Sequence, residues 1–241
     1  MKRVLVALLI GATPVSAQDR VIRFGVTGDY PPYAERQPDG SVTGADVVLA
    51  NRVATALGAR AEFVPTGWAT LSADFAARRF DVAIGGLTVT PERAAIGTFS
   101  IRLLDDGKRP LARCAEAARY RSIAAIDRAG TRVEINRGPA IGALAKAWFR
   151  VAQVTVNPVD ADLVPALLER RADVWITDGV VVDHMARRYR GRLCATTNEP
   201  FTHQDKAWLI RSDPALVGEI DGQLRRAIDS GAWKRALRAV R

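Results

Sequence analysis

The order of apolar segments constrains this chain more than any other feature: a strand–helix–strand alternation runs over residues 21–86 and starts again after Gly107. Residues 21–26 read as a strand that stops before Gly28. Residues 45–57 have helical periodicity and end at Gly58, where a glycine can take the left-handed conformation that closes a helix. Residues 61–65 form the next strand. Residues 69–78 form a helix with Leu71 and Phe75 on one face, beside Trp68, and residues 80–84 a short buried strand ending in Gly85-Gly86. This βαβαβ order predicts a mostly parallel sheet with helices on both faces.

The second run places strands at residues 109–114, 131–135, 154–156 and 174–177, with helices at 139–149, 161–170 and 179–188. A last strand at 207–210 precedes helices at 214–229 and 233–240. No low-complexity linker separates the runs. The expected fold is therefore α/β with two lobes, a hinge of two strands and a cleft between them. Residues 18–108 and 204–241 would build the first lobe, and residues 109–203 the second.

The N-terminus carries an export pattern. Lys2 and Arg3 precede an unbroken apolar run at residues 4–10, and Val15-Ser16-Ala17 offers small residues for cleavage. The run is too short to span a bilayer, which takes about 20 residues. The mature protein is expected in the periplasm, starting near Gln18. Hydrophobic content of 48% suffices for a real core. The formal charge of +9 favours acidic partners. The arginines are scattered, however, and the densest patch, Arg187-Arg188-Tyr189-Arg190, reads as a solvated helix end. Export further disfavours nucleic acid.

Cys114 and Cys194 are the two cysteines. In an oxidising compartment a lone pair reads first as a disulfide, with two buried thiols as the alternative. Their spacing fits no zinc motif, and neither His184 nor His203 has a metal-ligand partner at helical spacing. No metal or cofactor is expected.

Ligands of open α/β sheets sit at the carboxyl ends of the strands. There, Tyr30 and Tyr33 flank two prolines in a stiff loop, and Trp68 follows the second strand. Gly85-Gly86-Leu87-Thr88 exposes N–H groups and a hydroxyl, and Arg93 follows five residues after Thr88. A guanidinium suits bidentate carboxylate binding. Asn136-Arg137-Gly138 leads into a helix N-terminus, which favours anions. Asp178 can pair with a ligand ammonium or cap the next helix.

Over essentially the whole mature length the chain resembles the bacterial type 2 solute-binding proteins that bind amino acids. The resemblance is carried by residues 28–33, Gly44-Ala45-Asp46, Phe80-Asp81-Val82-Ala83, residues 85–88, Glu92-Arg93, and Ala172-Asp173-Val174 with Asp178. It implies a two-lobed periplasmic-binding-protein-like type II fold of two doubly wound sheets, and a monomer that serves an inner-membrane ABC permease. Arg93, Thr88 and the Gly86 N–H would take the ligand carboxylate, Asp178 its ammonium, and Tyr30 and Trp68 the walls; Asn136 and Arg137 face them from the second lobe. Within this group it is most similar to the cyclohexadienyl dehydratases, through Trp68 with Asp74-Phe75, Asp106-Gly107-Lys108, Cys114 and Leu193-Cys194-Ala195. That likeness also implies the Cys114–Cys194 disulfide.

Two departures qualify the likeness. The dehydratases carry a general-acid glutamate where this chain has Val181, and expelling hydroxide needs a proton donor. Their second-lobe loop is rewritten here to Asn136-Arg137-Gly138-Pro139-Ala140-Ile141. The expectation is a binder without catalytic residues, with Asp183 or Glu134 the stand-ins for a rescued enzyme. The new Arg137 suggests a ligand with a second anionic group.

Overall fold

The computed structural model describes residues 20–157 and 162–240. The leader and cleavage site expected at residues 1–17 lie outside them. The chain folds into two lobes, each built on a five-stranded sheet. In the first, Val21–Val26 runs parallel to Arg60–Pro65 on one side and to Val82–Ala83 on the other. Leu209–Ile210 then joins antiparallel and Thr98–Phe99 closes the edge. In the second, Arg132–Ile135 lies between Gln153–Val156 and Val174–Asp178, both parallel to it. Lys108–Arg113 and Leu193–Ala195 complete that sheet antiparallel.

Burial of the central strands holds the sheets that position the strand ends. Phe24 and Val26 are wholly buried. A side chain at Gly25 would strike the Phe80 ring at 2.4 Å, so glycine is the residue that lets that ring pack on the strand. Helix Ala45–Ala56 covers the first sheet with Leu49, Ala50 and Val53 inward. Helices Pro214–Asp229 and Ala232–Ala239 return from the chain end and add Ile220, Leu224 and Trp233 to the same core. The second lobe has a core of its own around Ile126, Val133, Ile135 and Ile176.

Both lobes tie a pair of neighbouring parallel strands with the same device. Asp81 accepts the backbone N–H of Arg23 at 2.9 Å and its guanidinium at 3.0 Å. Asp173 accepts the backbone N–H of Arg132 at 2.9 Å and its guanidinium at 2.8 Å.

Several elements differ from expectation. The helix after Trp68 is only Leu71–Ala76, and Arg78 beyond it adopts a left-handed φ of 58°. The strand expected at residues 80–84 is paired only at Val82–Ala83. The strand expected at residues 207–210 is only Leu209–Ile210, and a separate strand precedes it; the two in chain order are Gln204–Lys206 and Leu209–Ile210. The first of these pairs antiparallel with Leu104–Asp106 as a separate two-stranded ribbon. That ribbon is the two-strand hinge between the sheets. Cys114 and Cys194 form a disulfide across the neighbouring strands, Cα to Cα 4.8 Å.

Candidate ligand-binding site

The carboxyl ends of both sheets face a cavity of about 60 Å³ between the lobes. From the first lobe Tyr30, Trp68, Gly86, Thr88 and Arg93 line it. Asn136, Arg137 and Asp178 line it from the second. These are the eight residues singled out in the sequence, and the structure brings them together. Lys108 lines it too.

Each side chain is placed by local structure. Helix Pro91–Ala94 is capped by Thr90 and carries Arg93, whose Nη1 donates to the Thr88 carbonyl at 2.8 Å. Burial pushes the Arg93 pKa down, against the pull of Asp178. Trp68 donates its indole N–H to Asp29 at 3.0 Å and meets the Tyr30 ring edge-on at 5.4 Å. Asn136 accepts from Trp175 Nε1 at 2.9 Å, and its own Nδ2 has no partner among the described residues. Arg137 is exposed at the cavity mouth. Behind Tyr30 and Asn136 lies a second cavity of about 320 Å³, walled by Val181, Met185, Arg188 and Tyr189 among others.

Two expected roles are corrected. The Gly86 N–H is not free for a ligand: it donates to Asp46 Oδ2 at 2.9 Å, as Gly85 N–H does at 2.7 Å. Gly86 itself is required, since its φ is 75° and a Cβ would meet the Tyr33 ring at 2.5 Å. Asp178 neither caps the following helix through its side chain nor stands open to an ammonium. Lys108 Nζ donates to its Oδ1 at 2.5 Å, while Lys206 Nζ and the Tyr30 hydroxyl (2.8 Å) donate to its Oδ2. Burial alone would raise the Asp178 pKa, but the two lysine charges outweigh it and hold the group well below the carboxylate range. Lys206 also donates to Thr88 Oγ1 at 2.8 Å. Its burial lowers its own pKa, against Asp178.

The sequence reading missed Lys108, Lys206 and Asp46 as members of the site. Asp46 and Lys206 each left a signal, a charge beside an apolar run, whereas Lys108 is followed by another cation, Arg109. Lys108 opens the strand that is buried throughout, and Lys206 precedes Ala207-Trp208-Leu209. The proposed stand-ins for a catalytic acid fall elsewhere. Asp183 pairs with Arg109 at 2.8 Å and lines a different cavity near the hinge. Glu134 lines neither interlobe cavity. Val181 is fully buried.

Comparison with known proteins agrees with the two-lobed fold. The model of the bacterial extracellular solute-binding proteins, family 3, matches residues 22–239. The chain is 34% identical to cyclohexadienyl dehydratase of Pseudomonas aeruginosa, over 90% of this chain and 81% of that one. It is 28% identical to the L-cystine-binding protein TcyJ of Escherichia coli, over 78% of this chain and 69% of the other. Among solved structures, an ancestral amino acid-binding protein that is a precursor of cyclohexadienyl dehydratase superposes with a TM-score of 0.81 at 26% identity, covering 91% of this chain and 95% of that one. The putative binding component of an ABC transporter from Wolinella succinogenes, complexed with lysine, gives 0.82 at 25% identity, covering 90% and 94%.

Proposed function

The chain belongs to the bacterial extracellular solute-binding proteins, family 3, and from that premise we propose that it captures an amino acid or related small carboxylate between its lobes outside the cytoplasm and delivers it to an inner-membrane ABC permease. One observation carries the reading. Arg93 is a half-buried guanidinium that, among the described residues, donates only to a backbone carbonyl, and it opens onto the interlobe cavity. A desolvated guanidinium without a carboxylate is a site waiting for one. The Thr88 hydroxyl, already accepting from Lys206, has its proton to give to the same carboxylate. Tyr30 and Trp68 supply aromatic walls, and Asn136 and Arg137 close from the second lobe. The relatives that bind L-cystine and lysine support an amino acid or a near analogue as ligand class. The disulfide supports an oxidising compartment.

The test is calorimetric titration of the mature protein with carboxylate ligands. Arg93→Ala is expected to weaken binding at least a hundredfold, since a charge-assisted bidentate pair is lost. Unchanged affinity in that variant removes the site assignment. A second reading, a dehydratase acting on prephenate or arogenate, has the 34% identical relative in its favour. Against it stands the aliphatic Val181; among the described residues Asp178 is the one carboxyl group lining the ligand cavity, while Asp29 and Glu35 line the cavity behind it. Assay of the purified protein with both substrates decides: turnover would replace the binder reading.

A further inference from the structure

The ligand cavity holds more positive charge than its own carboxylates neutralise. Arg93 and Arg137 both line it, and neither has an ion-pair partner among the described residues. The one carboxylate among the described lining residues, Asp178, is engaged by Lys108, by Lys206 and by the Tyr30 hydroxyl. An incoming ammonium would meet two ammonium groups already on that carboxylate. Neither lysine can swing away to water without crossing packed protein, since Lys108 is 7% and Lys206 2% exposed. The neighbouring acid, Asp106, is turned toward the N–H groups of Gly107 and Val180 and does not line the cavity. Removing charged groups from water is unfavourable unless each finds an opposite charge or hydrogen bonds. Half-buried Arg93 therefore calls for one anionic group, exposed Arg137 offers a second guanidinium for another, and the one carboxylate among the described lining residues is already taken by cations.

We infer that the ligand is a dianionic carboxylate without an amino group, such as a dicarboxylate or its oxo or hydroxy derivative. One carboxylate lies on Arg93 with the Thr88 hydroxyl. The other is met by Arg137, with Lys108 beside it. The unpartnered Asn136 Nδ2 donates to an oxygen between them. This inference rests on the carboxylate-binding reading above and narrows it.

The experiment is calorimetry and thermal shift on the mature protein with matched pairs that differ in the amino group: 2-oxoglutarate with L-glutamate, succinate with L-aspartate, and prephenate with arogenate. The amino-free member of at least one pair is expected to bind at least tenfold more tightly than its amino acid. Lys108→Met, which uncovers Asp178 Oδ1 to the cavity, is expected to shrink that ratio at least tenfold. If Lys108→Met fails to fold, the wild-type pairs decide alone. Amino acids that bind as well as or better than their amino-free partners overturn the inference and leave the carboxylate-binding function standing. So does binding of L-lysine or L-arginine above every dianion. Absence of binding by every carboxylate overturns both.

Discussion

Asp46 shows how much of this site depends on groups that touch no ligand. Its carboxylate holds the Gly85-Gly86 turn through two N–H bonds and the Trp208 indole N–H through a third, at 3.0 Å. Burial raises its pKa to about 6, against those three donors. The unfolded chain releases the same proton near pH 4. Between the two values the folded state binds more protons, so this group's contribution to stability falls as pH rises through that window and is level above it. At about 1.4 kcal/mol per pH unit the effect is about 2–3 kcal/mol. Asp46→Asn is expected to lack this slope, read as a wild-type-minus-variant difference in urea unfolding across the window; parallel curves would refute it. The lysine-bound Asp178 makes the converse case. Asp178→Asn leaves Lys108 and Lys206 buried against a neutral amide, and a loss of about 3–5 kcal/mol is expected by chemical denaturation. The sequence made Asp178 legible at a strand end, and Arg93 legible in the short helix that follows the strand-end Gly85-Gly86 pair. It hid Lys206 and Asp46 because they meet the site only after distant segments are laid side by side.

At the scale of elements, the edge strand Leu193–Ala195 is held to Lys108–Arg113 by hydrogen bonds and by the disulfide at their ends. Cross-linking positions 80 residues apart restricts the unfolded chain, and replacing both cysteines by serine is expected to lower stability by about 2–4 kcal/mol. Equal unfolding midpoints for the variant and the oxidised wild type would contradict this. Long periodic segments were readable in advance: helix Pro214–Asp229 and strand Val21–Val26 match their expected bounds. Short ones were not. The two-residue strands Val82–Ala83 and Thr98–Phe99 are defined by their neighbours rather than by their own periodicity. The meander Asp29–Tyr30, Ala34–Arg36 and Val42–Thr43 is likewise too short to show alternation. The repeated Arg23–Asp81 and Arg132–Asp173 clasps were visible only as separate acidic residues ahead of Val82–Ala83 and Val174–Asp178.

Across the whole molecule, the lobes touch through contacts of unequal weight. Tyr30 of the first lobe donates to Asp178 of the second in a fully buried setting. Arg188 and Glu35 pair at 3.2 Å near the surface. A hydrogen bond to a charged group contributes about 1.5–3 kcal/mol, while an exposed ion pair contributes about 0–1. Tyr30→Phe is therefore expected to change ligand affinity by tenfold or more, and Arg188→Ala by less than about fivefold; the reverse order in calorimetry would show that the rim, not the interior, governs closure. The disulfide has a different meaning at this scale. It joins residue 114 to residue 194 where the chain has just entered the second lobe and is about to leave it. Residues 114–194 thus form a covalent ring, closed at its base, with Asn136, Arg137 and Asp178 inside and Arg93 outside. A protease cut inside the ring leaves one covalently continuous molecule until a reductant divides it. A cut in the first lobe yields separate polypeptides at once on a denaturing gel.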